Sequence, residues 1–319
     1  MWVLLAFVSA LCLGGYDISK KIALHQHRVV DVLTLSILIS SLILSVPLLL
    51  SRLYPDMLTG TPFYVPSLGA EAHVLTFVKS CIVLSSWVFA YVSLKHLPLS
   101  VVSPMQATRP MWTLVGALLI FGERLNTWQW VGVLLAIGSI FVFSFKKHPH
   151  LQLRGNVRAR LVDNRYYICL VLAIIIGSCS GLYDKYMMRR FDHNFVQVYY
   201  TIYQAAMMLL VWLWDWRKNP ERLHGLAERL NPRKSPDTWS AMLPIALISI
   251  FLVISDNVYM LALSYPDSLI AVVSTIRRGG AVIGFAYGLL FLHEPEPRKK
   301  AACMIGIMLG LICLALGSI

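Results

Sequence analysis

The amino-acid sequence predicts an all-α membrane protein, with ten transmembrane helices arranged as two inverted five-helix repeats. Of its 319 residues, 57% are hydrophobic and only 14% are charged, whereas soluble domains contain about 25% charged residues. Apolar stretches of about 20 residues, the length at which a helix spans a bilayer, recur ten times along the chain. The two halves also carry similar motifs in the same order.

The ten predicted spans are separated by short polar segments, and Trp and Tyr residues lie at several span ends, as expected at a membrane interface. The longest basic segment divides the chain almost in half. We therefore predict a first repeat at 1–146, a basic cytoplasmic linker at 147–165 and a second, inverted repeat at 166–319. The spans are 2–22, 30–51, 73–94, 99–121, 127–145, 166–188, 195–216, 240–263, 268–292 and 299–318.

Matching motifs support the duplication, because the offset between the two copies drifts by only a few residues. A unit with five spans must insert its second copy upside down, and inverted repeats are typical of secondary transporters. The matched pairs are Tyr16-Asp17 with Tyr183-Asp184, Val101-Val102-Ser103 with Val272-Val273-Ser274, Glu123 with Glu294, and Gly132 with Gly306.

The net charge of +12 does not indicate nucleic-acid binding, because the basic residues cluster between the spans. Short cytoplasmic loops carry an excess of Lys and Arg, so this bias predicts the orientation. We expect a multi-pass protein of a bacterial inner (plasma) membrane, with both termini on the non-cytoplasmic side. The basic side holds Lys20, Lys21, Arg28, Lys95, the central linker, segment 217–234, Arg298, Lys299 and Lys300; the other side holds Arg52, Arg124, Arg189 and Arg190.

Two adjacent arginines, Arg277 and Arg278, lie deep in the ninth span. About ten residues of helix place them roughly 15 Å into the bilayer, where an isolated charge costs at least ~2.5 kcal/mol. They therefore need a water-filled cavity, an acidic partner or an anionic ligand. Gly280, Gly284 and Gly288 form a small-residue stripe that lets a neighbouring helix approach closely.

Arg109 lies at a similar depth in the fourth span. With Arg277 and Arg278 it could form an anion site, because guanidinium groups bind carboxylate or phosphate in bidentate fashion. The alternative is a structural ion pair with one of three carboxylates in other spans, and both arrangements could occur in different states of a transport cycle. The candidate carboxylates are Asp17, Asp184 and Asp256.

Other polar residues lie within the spans. Asp256 and Asn257 interrupt the eighth span; Asp256 either neutralises an arginine, which we favour, or carries a coupling proton with a pKa raised by burial. Hydroxyl groups of Tyr16, Tyr183 and Tyr259 could bind a solute. We expect Lys79 to snorkel towards the interface. Asp17 and Asp184 should pair locally with Lys20, Lys21 and Lys185, and Glu123 and Glu294 should fix the turns after their spans.

No pattern indicates catalysis or a cofactor. The six cysteines all fall inside apolar spans without a Cys-x-x-Cys, and the nine histidines lack ligand-like spacing, which disfavours a metal site. Walker, Gly-rich nucleotide and Ser-His-Asp motifs are not visible. We predict no catalytic residue, no metal and no cofactor, and a protein that is not an enzyme.

The segment Leu97–Gly138 contains an early proline, then Gly122-Glu123-Arg124 at a helix turn, then Gly132 and Gly138; the second half repeats the turn as His293-Glu294-Pro295. This pattern resembles the EamA-type members of the drug/metabolite transporter superfamily. The resemblance covers essentially the whole chain and implies ten helices in two inverted repeats around a central cavity. Many relatives have both termini in the cytoplasm, opposite to the orientation that the charges predict.

The Arg277-Arg278 pair is similar to the basic pair on helix nine of the sugar-phosphate and nucleotide-sugar branches, where the resemblance implies contact with phosphate. We therefore expect a secondary transporter for a small polar, anionic metabolite, working by alternating access in the lipid bilayer as a monomer or homodimer. A proton is a candidate coupling ion, and no nucleic-acid partner is expected. The alternatives are a flippase for a lipid-linked anionic headgroup and a membrane scaffold or receptor without transport.

Overall fold

The computed structural model describes residues 1–26, 29–96, 109–145, 157–218, 238–280, 283 and 297–317. Across these ranges the regular secondary structure is α-helical, which confirms the predicted all-α class. The helices are α1 (Trp2–Gln26), α2 (Val29–Leu53), α3 (Pro55–Leu58), α4 (Ala70–His96), α5 (Arg109–Phe121), α6 (Thr127–Phe145), α7 (Val157–Met188), α8 (His193–Lys218), α9 (Thr238–Ser264), α10 (Ile270–Arg278) and α11 (Pro297–Leu316).

Within the described ranges, six helices contain segments long and apolar enough to cross a membrane, and these lie in α1, α2, α4, α7, α8 and α9. The chain is therefore an integral multi-pass membrane protein. Shorter apolar segments lie in α5 and α11, and parts of the predicted fourth and ninth spans fall outside the described residues. Helix α7 begins at Val157, within the stretch predicted as linker.

Helices from the two halves of the chain pack against one another in pairs. The most extensive contacts join α1 to α9, α6 to α11, α4 to α7 and α2 to α8, and α5 also packs against α10. Glycines allow the closest approaches. A Cβ atom on Gly132 of α6 would lie 2.7 Å from the Gly310 carbonyl oxygen of α11. One on Gly14 of α1 would lie 2.9 Å from the Gly280 carbonyl oxygen, so Gly280 does admit a neighbouring helix; Gly284 and Gly288 lie outside the described residues.

Buried serine hydroxyls tie these helix pairs together, each donating to a backbone carbonyl of a partner helix. Such bonds satisfy the hydroxyl where water is absent. Two donors lie on α4 and two on α9, so the ties are distributed over both halves. The bonds are Ser80 to Tyr200 (3.2 Å), Ser86 to Ala173 (2.9 Å), Ser249 to Ser36 (2.9 Å) and Ser255 to Ser9 (3.0 Å).

Candidate functional site

A cavity of about 420 Å³ lies among α1, α2, α4, α5, α7, α8, α9 and α10, and so between helices of both halves. Its volume falls within the range of small-molecule sites, about 300–1,000 Å³. The lining is unusual for a membrane-spanning bundle because it is rich in ionisable groups. Its basic residues are Lys20, Lys79, Arg109, Arg277 and Arg278, and its acidic residues are Asp17, Asp184 and Asp256.

Arg277, near the end of α10, pairs with Asp256 of α9 through its Nη2 atom. Its guanidinium carbon lies 4.2 Å from the centre of the Tyr259 ring, a cation–π contact that stabilises a desolvated charge. The Nε atom is buried and has no hydrogen-bond partner within the part of the chain that the structure describes. Of its two predicted roles, Asp256 here takes that of an arginine partner.

A second ion pair lines the cavity, and this one joins the two halves of the chain. The Nζ atom of Lys79, on α4, lies 2.7 Å from Oδ1 of Asp184, on α7, and the lysine side chain is only 2% exposed. The same Nζ lies 4.4 Å from the centre of the Tyr200 ring. The prediction that Lys79 snorkels to the interface is therefore wrong, because a buried carboxylate and an aromatic ring satisfy its ammonium group within the bundle.

The prediction that Asp184 pairs with its neighbour Lys185 is also wrong. Adjacent residues on a helix point in different directions and do not face each other, so Asp184 faces the cavity while Lys185 faces α9 and the loop that follows it. The Tyr259 hydroxyl donates to Oδ2 of Asp184 at 3.3 Å. Tyr259 thus contacts both ion pairs, with its hydroxyl on Asp184 and its ring beneath Arg277.

The remaining two arginines of the cavity have different surroundings. Nη2 of Arg109 donates to the Gly177 carbonyl of α7 at 2.6 Å. Gly177 makes room for this contact, because a Cβ atom there would overlap the guanidinium group. Among the described residues, no carboxylate lies within ion-pair distance of Arg109 or Arg278.

Five of the seven predicted binding residues line the cavity, namely Arg109, Arg277, Arg278, Asp256 and Tyr16. The other two do not belong to its lining. Asn257 donates to Oε1 of Gln197 (2.6 Å) and Oδ1 of Asn194 (3.2 Å), and Tyr183 donates to the Leu75 carbonyl (3.1 Å).

Sequence reasoning did not place Lys79 in the site. It named Tyr259 as a hydroxyl that could bind a solute and Asp184 as a candidate partner of Arg109, but it missed the contact between Lys79 and Asp184. The available signal was the presence of a deep lysine on the third span and a carboxylate on the sixth, two charges that a bundle can satisfy only by pairing them. The sequence-based prediction instead has Lys79 snorkelling and Asp184 pairing along its own helix, so it misses the contact between the two helices.

Away from the cavity, Lys185 of α7 is fully buried against the end of α9 and the connection that leads to α10. Its ammonium group donates to the Ser268 carbonyl at 2.6 Å, to the Leu263 and Tyr265 carbonyls at 3.4 Å each, and to the Ser268 hydroxyl. Four oxygen atoms therefore surround one cation, and each belongs to a neutral group.

Glu123 follows α5 in a short turn, where Gly122 adopts a positive φ of 61°. Its carboxylate accepts hydrogen bonds from the N–H groups of Ile270 (2.7 Å) and Ala271 (3.2 Å), at the first turn of α10. Burial raises the pKa of the Glu123 carboxyl, although these two N–H groups oppose the effect. Glu123 therefore holds the N-terminus of a helix in the other half, besides any effect on its own turn. Glu294 lies outside the described residues.

Comparisons with known proteins agree with the sequence-based expectation. Residues 1–145 match the EamA-like transporter family, which confirms the predicted resemblance. A solved structure named only "Crystal structure of protein" is similar, with a TM-score of 0.69 and 14% identity over 99% of this chain and 96% of that chain. At this identity the similarity shows a shared fold alone. No curated protein matches the chain.

Proposed function

We propose that this membrane protein, which carries the EamA-like transporter pattern over residues 1–145, is a secondary transporter for a small polar, anionic metabolite. One observation carries the proposal: a single cavity between the two halves is lined by five basic and three acidic side chains. Ionisable groups within a membrane mark solute pathways. The excess of basic groups favours an anion over a cation or a neutral solute.

The proposal includes ten membrane-spanning helices in two inverted repeats, at 1–146 and 166–319, joined by a cytoplasmic linker at 147–165. The helix pairing supports it. Exchanging the two halves turns the α1–α9 pair into the α7–α4 pair and leaves the pairs α2–α8, α5–α10 and α6–α11 unchanged. A two-fold relation between duplicated units produces this pattern of contacts.

The serine ties support the same relation at the level of single bonds. Donors Ser80 and Ser86 on α4 correspond to Ser249 and Ser255 on α9 with one common offset along the chain. The acceptors correspond in the same way, again with one common offset along the chain. Tyr200 on α8 corresponds to Ser36 on α2, and Ala173 on α7 corresponds to Ser9 on α1. With five spans in each repeat, the second repeat enters the bilayer inverted, and the basic side faces the cytoplasm.

The proposed mechanism is alternating access around this cavity. An anion entering it meets Arg277, Arg278 and Arg109, whose planar guanidinium groups can each donate two hydrogen bonds to a carboxylate or phosphate. Asp256 and Tyr16 belong to the same lining. We propose that Asn257 and Tyr183 act from outside the cavity, by positioning α8, α9 and α4.

The test begins with the purified full-length chain in a thermal-shift screen of amino acids, organic acids, sugar phosphates and lipid phosphates. A labelled form of the most stabilising anion is then used for uptake into proteoliposomes. Arg277→Gln and Arg278→Gln should abolish uptake while membrane insertion is retained. Arg217→Gln, which changes an exposed arginine at the end of α8, is the matched control. Normal uptake by both cavity variants contradicts the proposal.

The same assays separate the alternative functions. A flippase for a lipid-linked headgroup is supported if lipid-linked anions compete and water-soluble anions do not. A scaffold or receptor is supported if the reconstituted protein catalyses neither uptake nor exchange of any stabilising ligand. The cavity between the two halves favours the transporter, since a scaffold has no need of a charged cavity.

A further inference from the structure

The cavity contains more positive than negative charge. Five basic and three acidic side chains line it, so two positive charges in the described lining have no negative counterpart. In a bundle surrounded by lipid, an uncompensated charge is expensive and requires a partner. The number of missing negative charges is therefore information about the solute.

The unmatched charges can be assigned to particular residues. Asp184 pairs with Lys79 and Asp256 pairs with Arg277. Within the described part of the chain, no carboxylate lies within ion-pair distance of Arg109 or Arg278. This assignment leaves Arg109 and Arg278 as the two cavity arginines without a carboxylate of their own.

Arg109 on α5 and Arg278 on α10 line the same cavity, and α5 packs against α10. Like charges destabilise each other more in a low-dielectric bundle than in water. An anion between Arg109 and Arg278 offsets both charges. Arg277, whose buried Nε has no hydrogen-bond partner among the described residues, lines the same cavity.

We propose that the transported solute carries two negative charges and is bound between Arg109 and Arg278. This inference rests on the proposed function and specifies its substrate class. A phosphate monoester and a dicarboxylate share the required chemistry, and the cavity of about 420 Å³ limits the solute to a small molecule. A monoanion leaves one of the two guanidinium groups without a counter-charge.

The experiment compares dianions with matched monoanions in thermal-unfolding titrations of the full-length protein at pH 7.5. One series uses glycerol 3-phosphate and its monomethyl phosphate diester; the other uses succinate and succinamate. Loss of one desolvated ion pair should raise the midpoint of the monoanion titration at least about ten-fold above that of the dianion. The series that shows the preference identifies the solute as a phosphate ester or a dicarboxylate.

Variants locate the site. Arg278→Gln should bring the two midpoints within about two-fold of each other, because one of the two unmatched charges is gone. Arg278→Lys keeps the charge and should keep the preference, although with weaker binding, and Arg109→Gln should behave as Arg278→Gln does. Arg217→Gln serves as the exposed control and should match the unmodified chain.

The outcomes separate this inference from the proposed function. Equal midpoints for dianion and monoanion in both series overturn the inference but leave an anion transporter intact. Stabilisation by neither anion series overturns both. A dianion preference that persists in Arg278→Gln and in Arg109→Gln also overturns the inference, because another group then binds the second negative charge.

Discussion

The cavity and the α9–α10 connection both bury cations, yet they treat them in opposite ways. The ammonium group of Lys185 is surrounded by four oxygen atoms, whereas Arg278 has no carboxylate within ion-pair distance among the described residues. A buried polar group that is fully satisfied stabilises one arrangement of the chain. A buried charge that lacks its partner instead marks a place for a ligand.

Glu123, like Lys185, is a buried ionisable residue that forms hydrogen bonds within the protein. Its carboxylate is held by two backbone N–H groups at the start of α10, so a residue of the first half fixes a helix of the second. That helix carries Arg277 and Arg278 at its other end. Glu123 thus holds the helix that carries Arg278. Substitution of Glu123 or Lys185 should therefore change the stability of the fold, whereas substitution of Arg278 should change anion binding.

The largest expected effect is on transport. Arg278→Gln should lower anion uptake at least about 100-fold and so to background, since loss of a desolvated charge contact costs about 2–5 kcal/mol. The same variant should unfold at the same or a higher temperature without anion, because a buried charge without a counter-charge is removed. Uptake per inserted molecule and thermal unfolding in detergent measure the two effects.

Lys185→Met should show the reverse behaviour. It removes the ammonium donor of the Ser268 carbonyl, whereas the Leu263 and Tyr265 carbonyls still accept hydrogen bonds from Ser268. A buried unsatisfied acceptor costs about 1–3 kcal/mol. We therefore expect a free energy of unfolding lower by about 1–3 kcal/mol, measured by denaturant titration. The anion midpoint of the folded fraction should stay within about two-fold, because an ammonium outside the cavity makes no contact with the solute.

Gly177→Ala tests how the cavity places Arg109. The added methyl group occupies the position of the guanidinium, so Arg109 must move and anion affinity should fall by about ten-fold, the equivalent of one weakened charged hydrogen bond. Gly138→Ala is the control, since a Cβ atom there meets nothing within 4 Å. Equal anion midpoints for the two alanine variants contradict the proposed placement.

The smallest effect concerns Glu123 and pH. Burial raises the pKa of this carboxyl in the folded protein above its ordinary value of 4.5. Its contribution to stability is therefore fully present below pH 4.5 and declines as the pH rises through the folded pKa. Glu123→Gln should match the unmodified chain at pH 4.5 and exceed it by less than about 1 kcal/mol at pH 7. Thermal unfolding at the two pH values measures this difference.

The sequence could predict the depth of the charged residues, but not which helices are neighbours. Hydropathy places Arg109, Arg277 and Arg278 within spans. Because the free-energy cost of a charge in lipid is high, each of them requires a cavity or a partner. The Arg277–Asp256 contact was one of the weighed alternatives. These inferences depend only on position along a helix, which a single span determines.

Contacts between helices could not be predicted from the sequence. The Lys79–Asp184 pair and the Glu123–α10 contact join residues that are far apart in the chain, and their geometry depends on how the bundle packs. Local pairing was assumed for Asp184 because sequence neighbours are visible and spatial neighbours are not. Gly177 gave no signal either, since its role follows from the position of Arg109 on another helix.

The most direct test of the central claim is the unfolding temperature of Arg278→Gln, measured with and without the anion that most stabilises the unmodified chain. If the unmatched charge exists to bind the solute, the variant is at least as stable as the unmodified chain without anion, and the same anion concentration stabilises it much less. A variant that is less stable without anion and keeps the full anion response contradicts the account.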